Sequence, residues 1–148
     1  MVYKYDLAER ATLEVGSGII NGTIRPHFSG VYVGCDMYPG PGVDFVADAE
    51  DLKLADDLYP TVISTEMLEH CPRPWRAVQE MARVSSGFVV VTARGYDHRG
   101  CWEVHGYPND YYRFYASSMR LLAEDAGLTV LELDADPEGP GWLMVAKK

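Results

Sequence analysis

Two short apolar segments flank a glycine turn near the start of this chain, and their spacing constrains the fold more than any other feature. The first segment, residues 12–15, runs into Gly16 and Gly18, and the second, residues 31–35, ends at Asp36. Glycines let backbone approach a ligand that a Cβ would block. An acid at the tip of a second strand can accept hydrogen bonds from ribose hydroxyls. The pattern predicts a β-α-β unit that holds an adenosine.

Length and composition favour a single domain over residues 1–148. The chain has 148 residues, of which 47% are hydrophobic and 24% charged, which is enough for a full core. No apolar run is long enough to span a membrane, and the first residues lack the apolar core of a signal peptide. Three cysteines without a CxxC pair suit reduced thiols, so a cytoplasmic location is expected.

The charge balance argues against nucleic acid as a partner. The formal net charge is −9, and the only adjacent basic residues are Lys147 and Lys148. Binding to a phosphate backbone needs a concentrated basic face. We therefore expect a small-molecule partner rather than nucleic acid or a membrane, and the oligomeric state stays open.

Seven apolar segments predict the strands of a mostly parallel sheet. Several are continuous apolar runs, as in strands that are buried on both faces. The segments are residues 12–15, 31–35, 44–47, 61–64, 88–92, 130–133 and 142–146. The last two are joined by a segment rich in Asp, Pro and Gly, which predicts an antiparallel hairpin and hence one reversed strand.

Two helices are predicted, over residues 74–85 and 116–126, with Gly127 as the stop of the second. The connection over residues 37–43 is too short for a crossover helix, which normally needs about a dozen residues. The sequence therefore predicts an α/β three-layer sandwich with a Rossmann-like seven-stranded, mostly parallel sheet and one antiparallel strand. We expect a minimal version of this fold, with the second crossover helix missing.

The glycine turn does not match the dinucleotide fingerprint. A G-x-G-x-x-G motif would need glycine at position 21, where the sequence has Asn21. A nicotinamide-dependent oxidoreductase is therefore disfavoured. The chain also lacks a P-loop lysine motif, which disfavours nucleoside triphosphates.

Several segments together resemble the class I S-adenosylmethionine-dependent methyltransferases, in particular their small methyltransferase-domain branch. Residues 14–18 resemble the glycine-rich first motif of that family, and residues 62–70 resemble its fourth-strand motif. Later segments that are also similar are residues 80–91, 110–114 and 126–128. The first motif often has a third glycine, and here that position is Ile20. The resemblance implies S-adenosylmethionine as cofactor and methyl transfer to an oxygen, nitrogen or carbon nucleophile.

The resemblance also implies a cofactor site at the ends of the first strands. Asp36 lies where the ribose-binding acid of the family lies, and Asp48 belongs to the segment that meets the adenine amino group. Met37 can pack on one face of the adenine. The predicted cofactor-binding residues are Glu14, Gly16, Ser17, Gly18, Asp36, Met37, Asp48, Ala49, Thr65 and Glu66.

The acceptor side is predicted from residues 94–113, which we expect to form a loop without regular structure. Long loops in compact domains are commonly functional, and this one is rich in aromatic residues and follows the fifth strand. The predicted substrate-binding residues are Tyr107, Asp110, Tyr111 and Arg113. His70 and His105 are the predicted general bases, because histidine titrates near neutral pH. For His70 the alternative is that it caps or packs a short helix.

Two alternatives remain open. His98, Cys101 and His105 offer metal-type ligands at short spacing, but they do not form a CxxC…CxxC array, so no metal is predicted. Ile20 and the missing crossover helix would also suit a catalytically weak or inactive S-adenosylmethionine-binding or regulatory protein of the same fold. A product assay for S-adenosylhomocysteine separates the enzyme from the binder.

Overall fold

The computed structural model describes residues 3–20, 22–101, 103 and 109–148. Its strands are β1 (Thr12–Val15), β2 (Tyr32–Asp36), β3 (Phe45–Val46), β4 (Tyr59–Thr65), β5 (Ser85–Arg94), β6 (Tyr96–Asp97), β7 (Gly100–Cys101), β8 (Thr129–Ala135) and β9 (Gly141–Lys147). The helices are α1 (Pro74–Val84) and α2 (Ala116–Asp125), and 3-10 turns occupy Arg25–His27 and Leu68–His70. Within the described ranges, no helix is long and apolar enough to cross a bilayer.

Seven of these strands form one sheet in the order β3-β2-β1-β4-β5-β9-β8. β1 pairs in parallel with β2 and β4, β2 with β3, and β4 with β5. β9 is antiparallel to both β5 and β8. All seven predicted strands are present and β9 is the reversed one, so the predicted Rossmann-like sheet is confirmed. The strand order reverses between β1 and β4, which places the ligand crevice of such a sheet at their carboxyl ends.

Both α-helices pack on one face of the sheet. The apolar positions of α1, such as Val78 and Met81, recur at helical spacing and are fully buried. They share the main core with Leu13, Val62 and Val89 from three neighbouring strands. These contacts fix α1 over the middle of the sheet, while α2 packs on β8 and β9 towards one side of it. Both helices lie close to the bounds that the sequence predicted.

The opposite face carries no α-helix in the described part of the chain. Because successive strand residues point to opposite faces, Ile63, Val90 and Val145 point away from α1 and α2. They form a small cluster with Leu7 from the N-terminal segment. In its described residues the first crossover contributes only the 3-10 turn Arg25–His27, and the second contains no helix, as predicted. The third layer of this sandwich is therefore thin.

The prediction that residues 94–113 lack regular structure was wrong for the first part of that segment. Arg94 ends β5, and β6 pairs with β7 as an antiparallel ribbon. The backbone amide of Arg99 donates to Oδ1 of Asp97 at 2.7 Å, which closes the turn between them. Strands of two residues have no periodicity that a sequence pattern can reveal.

Candidate active site

The glycine turn follows β1 at the point where the strand order reverses. The backbone amides of Gly16 and Ser17 donate to the carbonyl oxygen of Cys35, at 2.8 and 3.0 Å, which ties the turn to β2. Gly16 has a φ of +82°, a conformation that glycine adopts at little cost. The turn therefore lies at the carboxyl edge of the sheet, between the ends of β1 and β2.

Asp36 lies beside this turn and is oriented by it. The backbone amide of Gly18 donates to Oδ2 of Asp36 at 3.0 Å. The amide of Tyr38 approaches Oδ1 at 3.3 Å. A carboxylate has about four acceptor positions, so Asp36 keeps the capacity to accept two ligand hydroxyls. The structure thus brings the predicted ribose acid and the glycine turn into direct contact.

The two glycines of the turn also make room for the protein's own side chains. A Cβ on Gly16 would lie 2.6 Å from Cγ of Met67. A Cβ on Gly18 would lie 3.0 Å from Oδ2 of Asp36. Gly16 therefore accommodates Met67, while Gly18 accommodates the carboxylate that faces the ligand edge. The expectation that both glycines serve close approach of a ligand needs this refinement.

Glu14 lies at the end of β1 and is only 5% exposed. Burial raises the pKa of its carboxyl group, and the nearby carboxylate of Asp36 adds to the increase. The Tyr32 hydroxyl, the Arg25 guanidinium and the Thr65 hydroxyl act in the opposite direction on this pKa. The structure therefore gathers three predicted cofactor residues at one edge, from β1, β2 and β4.

The predicted adenine segment follows β3 and contacts Asp36 through its backbone. The amide of Ala47 donates to the carbonyl oxygen of Asp36 at 2.9 Å. The exposed Asp48 accepts a hydrogen bond from the backbone amide of Glu50, two residues later in the chain, at 2.9 Å. Ala49 packs against the main core, and Met37 is 49% exposed. Met37 therefore presents a half-exposed apolar side chain at the same edge.

Glu66 follows β4 in a strained conformation, with a φ of +52°. Its amide donates to the carbonyl oxygen of Thr92 at 3.1 Å, and its carboxylate forms an ion pair with Nε of Arg94. Burial, followed by the charge of Glu69, raises the pKa of Glu66 to about 7. The Glu66 carboxylate is thus engaged with the end of β5, although the sequence placed this residue at the cofactor.

Glu69 is a buried acid that lies within the segment 62–70 but was not predicted from the sequence as a site residue. It is 0% exposed, and neither of its carboxylate oxygens has a hydrogen-bond partner among the described residues. Burial raises the pKa of this group, against the nearby positive charges of Arg94 and Arg113. The feature of the sequence that could have indicated Glu69 is that a second acid follows Glu66 by three positions, just after a predicted strand.

The base of the predicted acceptor loop is fastened to the segment after β4. Nδ1 of His70 lies 2.6 Å from the carbonyl oxygen of Asn109. The amides of Tyr111 and Tyr112 donate to the carbonyl oxygen of Glu69, at 2.8 and 3.2 Å. The structure therefore brings His70 together with the loop, in a contact that positions the loop backbone.

The other predicted acceptor residues divide into three groups. Asp110 and Arg113 form an ion pair, and their side chains are 0% and 9% exposed. This pair binds the loop to itself and leaves little charged surface for a ligand. Tyr111 is 50% exposed. His105 and Tyr107 lie outside the described residues.

None of the three cysteines takes part in a disulfide bond. Burial raises the pKa of the Cys35 and Cys71 thiols to about 12, so neither is a thiolate at neutral pH. Cys101 is partly exposed in β7. In the described part of the chain, no group of three His, Cys, Asp or Glu side chains is placed to hold a metal ion.

A family model described as methyltransferase domain matches residues 13–91, more than half of the chain. The chain belongs to this family. The matched stretch contains the glycine turn, Asp36 and the segment from Glu66 to His70. The class I S-adenosylmethionine-dependent methyltransferase that the sequence resembled is thereby confirmed, with S-adenosylmethionine as its cofactor.

Solved structures of methyltransferases share the whole fold. A putative methyltransferase of Haloferax volcanii, in complex with the Trm112 methyltransferase activator, has 20% identity and a TM-score of 0.70, over 99% of this chain and 87% of that chain. The 1,6-didemethyltoxoflavin-N1-methyltransferase of Burkholderia thailandensis, with bound S-adenosylhomocysteine, has 15% identity and a TM-score of 0.78, over 99% and 74%. A methyltransferase of Methanosarcina mazei has 13% identity and a TM-score of 0.74, over 99% and 96%. No curated protein sequence matches the chain.

The residues at the edge of this methyltransferase domain fit S-adenosylmethionine. The Oγ atoms of Ser17 and Ser64 are buried and have no hydrogen-bond partner among the described residues. Buried polar groups are normally satisfied, so these hydroxyls beside the glycine turn suit a polar ligand. Asp36 and Glu14 add acceptors without any phosphate-binding cation, in keeping with a cofactor that carries positive charge.

Proposed function

We propose that this chain transfers the methyl group of S-adenosylmethionine to a small-molecule acceptor. The observation that supports this most directly is the contact between Gly18 and Asp36, which holds the acid beside the turn at the switch point of the sheet. Such a crevice is where open α/β sheets bind their ligands. The toxoflavin-precursor methyltransferase with the same fold is named for a small-molecule acceptor, which supports that acceptor class here.

In this proposal each edge residue has one role toward the cofactor. Asp36 accepts hydrogen bonds from the ribose hydroxyls, Met37 covers one face of the adenine, and Asp48 meets the adenine amino group. Glu14 and Thr65 face the remaining polar part of the cofactor. When bound, S-adenosylmethionine supplies a methyl group on a positively charged sulfur, and the acids of the edge suit that charge. Orienting the acceptor for in-line attack then accounts for much of the rate.

The acceptor enters, in this proposal, between the ends of β4 and β5 and the loop that follows. Tyr111 is half-exposed there, and His105 and Tyr107 belong to the same loop. His70 contacts the carbonyl oxygen of Asn109, so we assign it a positioning role and keep His105 as the histidine proposed to move a proton. His105→Ala is expected to lower methyl transfer while cofactor affinity stays within a few-fold.

A protein that binds S-adenosylmethionine without turnover is the second candidate. It is favoured by Ile20, which is 74% exposed at the position where the family's first motif often has a third glycine. The 3-10 turn in place of a first crossover helix also favours this second candidate. Formation of S-adenosylhomocysteine from fractionated small-molecule pools decides for the enzyme, and binding without product decides for the second candidate.

We also propose that residues 1–148 act as one domain in a reducing, cytoplasmic compartment. The absence of a disulfide among the three cysteines and the joining of seven strands in one sheet support this. The net charge of −9 supports a small-molecule partner over nucleic acid.

The test of the proposal is Asp36→Asn, with S-adenosylmethionine affinity measured by calorimetry. Loss of a charged acceptor for two ribose hydroxyls is expected to cost about 1–3 kcal/mol, or roughly 5- to 150-fold in affinity. The control is Asp51→Asn, because the Asp51 side chain is 62% exposed and forms an ion pair with Lys53 at the surface. Equal affinities in the Asp36 variant and the unmodified protein would remove the assignment.

A further inference from the structure

The loop between β3 and β4, residues 47–58, carries the acid that we propose for the adenine. All of its residues are described, and none of them belongs to a helix or a strand. Asp48 lies near the start of this loop and is exposed. Because no regular backbone structure fixes this acid, the position of its carboxylate depends on the contacts that hold the loop.

Arg83, near the end of α1, holds the second half of the loop. Its guanidinium donates to the carbonyl oxygens of Leu52 and Leu54, at 2.7 and 2.8 Å. Its own carbonyl oxygen accepts from the amide of Asp57 at 3.0 Å. All of these contacts lie after the adenine acid, so the first half of the loop is held by other groups.

Glu50 holds the first half of the loop. Its side chain is 6% exposed, and both carboxylate oxygens meet donors from the segment before α1. The amide of Arg73 donates to Oε1 at 3.1 Å, and the guanidinium of Arg73 forms an ion pair with Oε2. The thiol of Cys71 donates to Oε1 at 3.5 Å. Burial raises the pKa of this thiol to about 12, so it keeps its proton at neutral pH.

These contacts attach the loop to a rigid part of the molecule. Arg73 directly precedes α1, so the Glu50 carboxylate lies at the N-terminal end of that helix, where negative charge is favourable. The helix itself is buried along the face that packs on the sheet. Breaking a buried ion pair by removing one partner is costly, because the other charge loses its compensation. Glu50 is therefore fixed relative to the core.

Glu50 also orients the adenine acid through its backbone. The amide of Glu50 donates to Oδ1 of Asp48 at 2.9 Å, and the amide of Asp51 donates to the carbonyl oxygen of Asp48 at 3.0 Å. A carboxylate has about four acceptor positions, so Asp48 keeps the capacity to accept from a ligand amino group. The residue that orients this carboxylate is thus the one whose side chain is fixed at the start of α1.

We propose that Glu50 is a positioning residue, which sets the preference of the cofactor site for adenine by holding the Asp48 carboxylate in place. The proposal rests on the proposed function, because that function assigns Asp48 to the adenine amino group. A fixed carboxylate attracts the 6-amino group of adenine and repels the 6-oxo group of hypoxanthine. A carboxylate that is free to turn towards solvent discriminates less between the two bases.

The test compares S-adenosylhomocysteine with S-inosylhomocysteine, which differ at position 6 of the purine, by calorimetry. The unmodified protein is expected to prefer the adenine compound by roughly 10- to 100-fold. In Glu50→Ala this preference is expected to fall about fivefold, as for residues coupled in one network. Glu50→Gln keeps the length and one acceptor oxygen, so its preference should fall less. The ratio of two affinities measured on one sample does not change when part of that sample is unfolded.

Glu80→Ala is the matched control. Glu80 is another acid paired with an arginine, since it accepts from Nε of Arg83 at 2.7 Å, and that arginine holds the second half of the same loop. Its loss is expected to lower stability and to leave the preference for adenine unchanged. This control separates the positioning of Asp48 from a general loosening of the loop.

A double variant tests whether Glu50 acts through Asp48. Asp48→Ala alone is expected to remove most of the preference for adenine. Adding Glu50→Ala to it should lower the preference no further, because the carboxylate that Glu50 positions is already absent.

The proposal is overturned if Glu50→Ala keeps the preference of the unmodified protein, if Glu80→Ala loses as much, or if the double variant loses more than Asp48→Ala. It also falls if the unmodified protein has no preference, or if Asp48→Ala keeps it, since Asp48 then does not meet the amino group. In all of these outcomes S-adenosylhomocysteine still binds. Absence of that binding in the unmodified protein contradicts the proposed function itself.

Discussion

Gly16 and Gly18 serve different contacts although they lie two positions apart in one turn. At Gly16 two structural constraints favour glycine. The φ is +82°, and a Cβ there would lie 2.6 Å from the Met67 side chain. At Gly18 the nearest atom is Oδ2 of Asp36, at 3.0 Å, and the backbone is not in the left-handed region. A side chain at Gly18 therefore disturbs the ligand-facing carboxylate more than the fold.

Alanine at these two positions is expected to separate stability from cofactor binding. Gly16→Ala should lower the free energy of unfolding by about 1–3 kcal/mol, because it combines a positive φ with a clash. Gly18→Ala should change stability less and weaken S-adenosylmethionine binding, because Asp36 must move. Denaturant unfolding and calorimetry measure the two effects. If one of the two variants shows the larger loss in both stability and S-adenosylmethionine affinity, this division is contradicted.

Glu66 is expected to make the protein less stable as the pH rises from about 5 to 8. Its pKa is about 7 in the folded chain and near 4.3 when unfolded, so the folded state keeps a proton that the unfolded state has lost. The free energy of unfolding therefore falls over this interval and levels off above it, by an amount on the order of 2 kcal/mol. The pKa of Glu14 and Glu69 is also raised, which acts in the same direction.

The measurement is urea unfolding at pH 5, 6, 7 and 8. In Glu66→Gln the fall in stability across this range should be clearly smaller, because one of the responsible groups is gone. Glu124→Gln, which changes an exposed carboxylate on α2, should keep the full fall. An identical pH dependence in both variants would mean that Glu66 titrates normally.

At the scale of elements, the short connection between β2 and β3 takes the place of the crossover helix found in larger sheets and packs on the neighbouring turn. The amide of Ile19 donates to the carbonyl oxygen of Pro41 at 3.0 Å, so the connection packs on the glycine turn. Gly42 has a φ of +85°, and a Cβ there would lie 2.6 Å from the carbonyl oxygen of Ser17. The connection thus supports the glycine turn through a backbone hydrogen bond and through close packing of Gly42 against Ser17 and Ile19.

Two glycines of this connection provide a matched pair of variants. Gly42→Ala is expected to cost about 1–3 kcal/mol of stability and to weaken cofactor binding, because Ser17 is displaced. Gly40→Ala should be close to neutral, since nothing lies within 4 Å of its Cβ position and its φ is not positive. Thermal unfolding with and without S-adenosylmethionine compares them, and equal behaviour would show that the contact at Gly42 is unimportant.

On the scale of the whole molecule, the N-terminal segment replaces a helical layer. Leu7 is 0% exposed in a cluster with Ile63, Val90 and Val145. Lys4 and Tyr5 bond to Oε2 of Glu132 in β8, at 2.7 and 2.8 Å. A segment of a few residues thus crosses the face of the sheet that α1 and α2 leave uncovered.

Leu7→Ala is expected to destabilise the protein by about 2–5 kcal/mol, as for a large-to-small change at a fully buried site. Leu121→Ala serves as the control, because Leu121 is 58% exposed on α2 and its loss should cost little. Denaturant unfolding of both variants gives the comparison. A small effect at Leu7 would show that the segment is held by its polar contacts to Glu132 instead.

The sequence by itself determined the seven strands, the reversed β9 and the grouping of residues at the edge that we propose for the cofactor. These features depend on local patterns: apolar runs, turn residues, and an acid or glycine directly after a strand. Parallel strands bring their carboxyl ends to the same edge, so Glu14, Gly18 and Asp36 could be placed together without knowing any tertiary contact. The missing crossover helix was equally visible, because chain length alone excludes it.

Only the tertiary structure decided how the individual groups are used. Leu7 covers Val145 from the other end of the chain, and Glu66 meets Arg94 across two strands, and no local pattern encodes either contact. The carbonyl oxygen of Glu69 accepts a hydrogen bond from the backbone amide of Tyr111, more than forty residues later in the chain. The pKa of a carboxyl group and the space beside a glycine are properties of the surroundings that folding assembles, so they follow from the packing of distant segments.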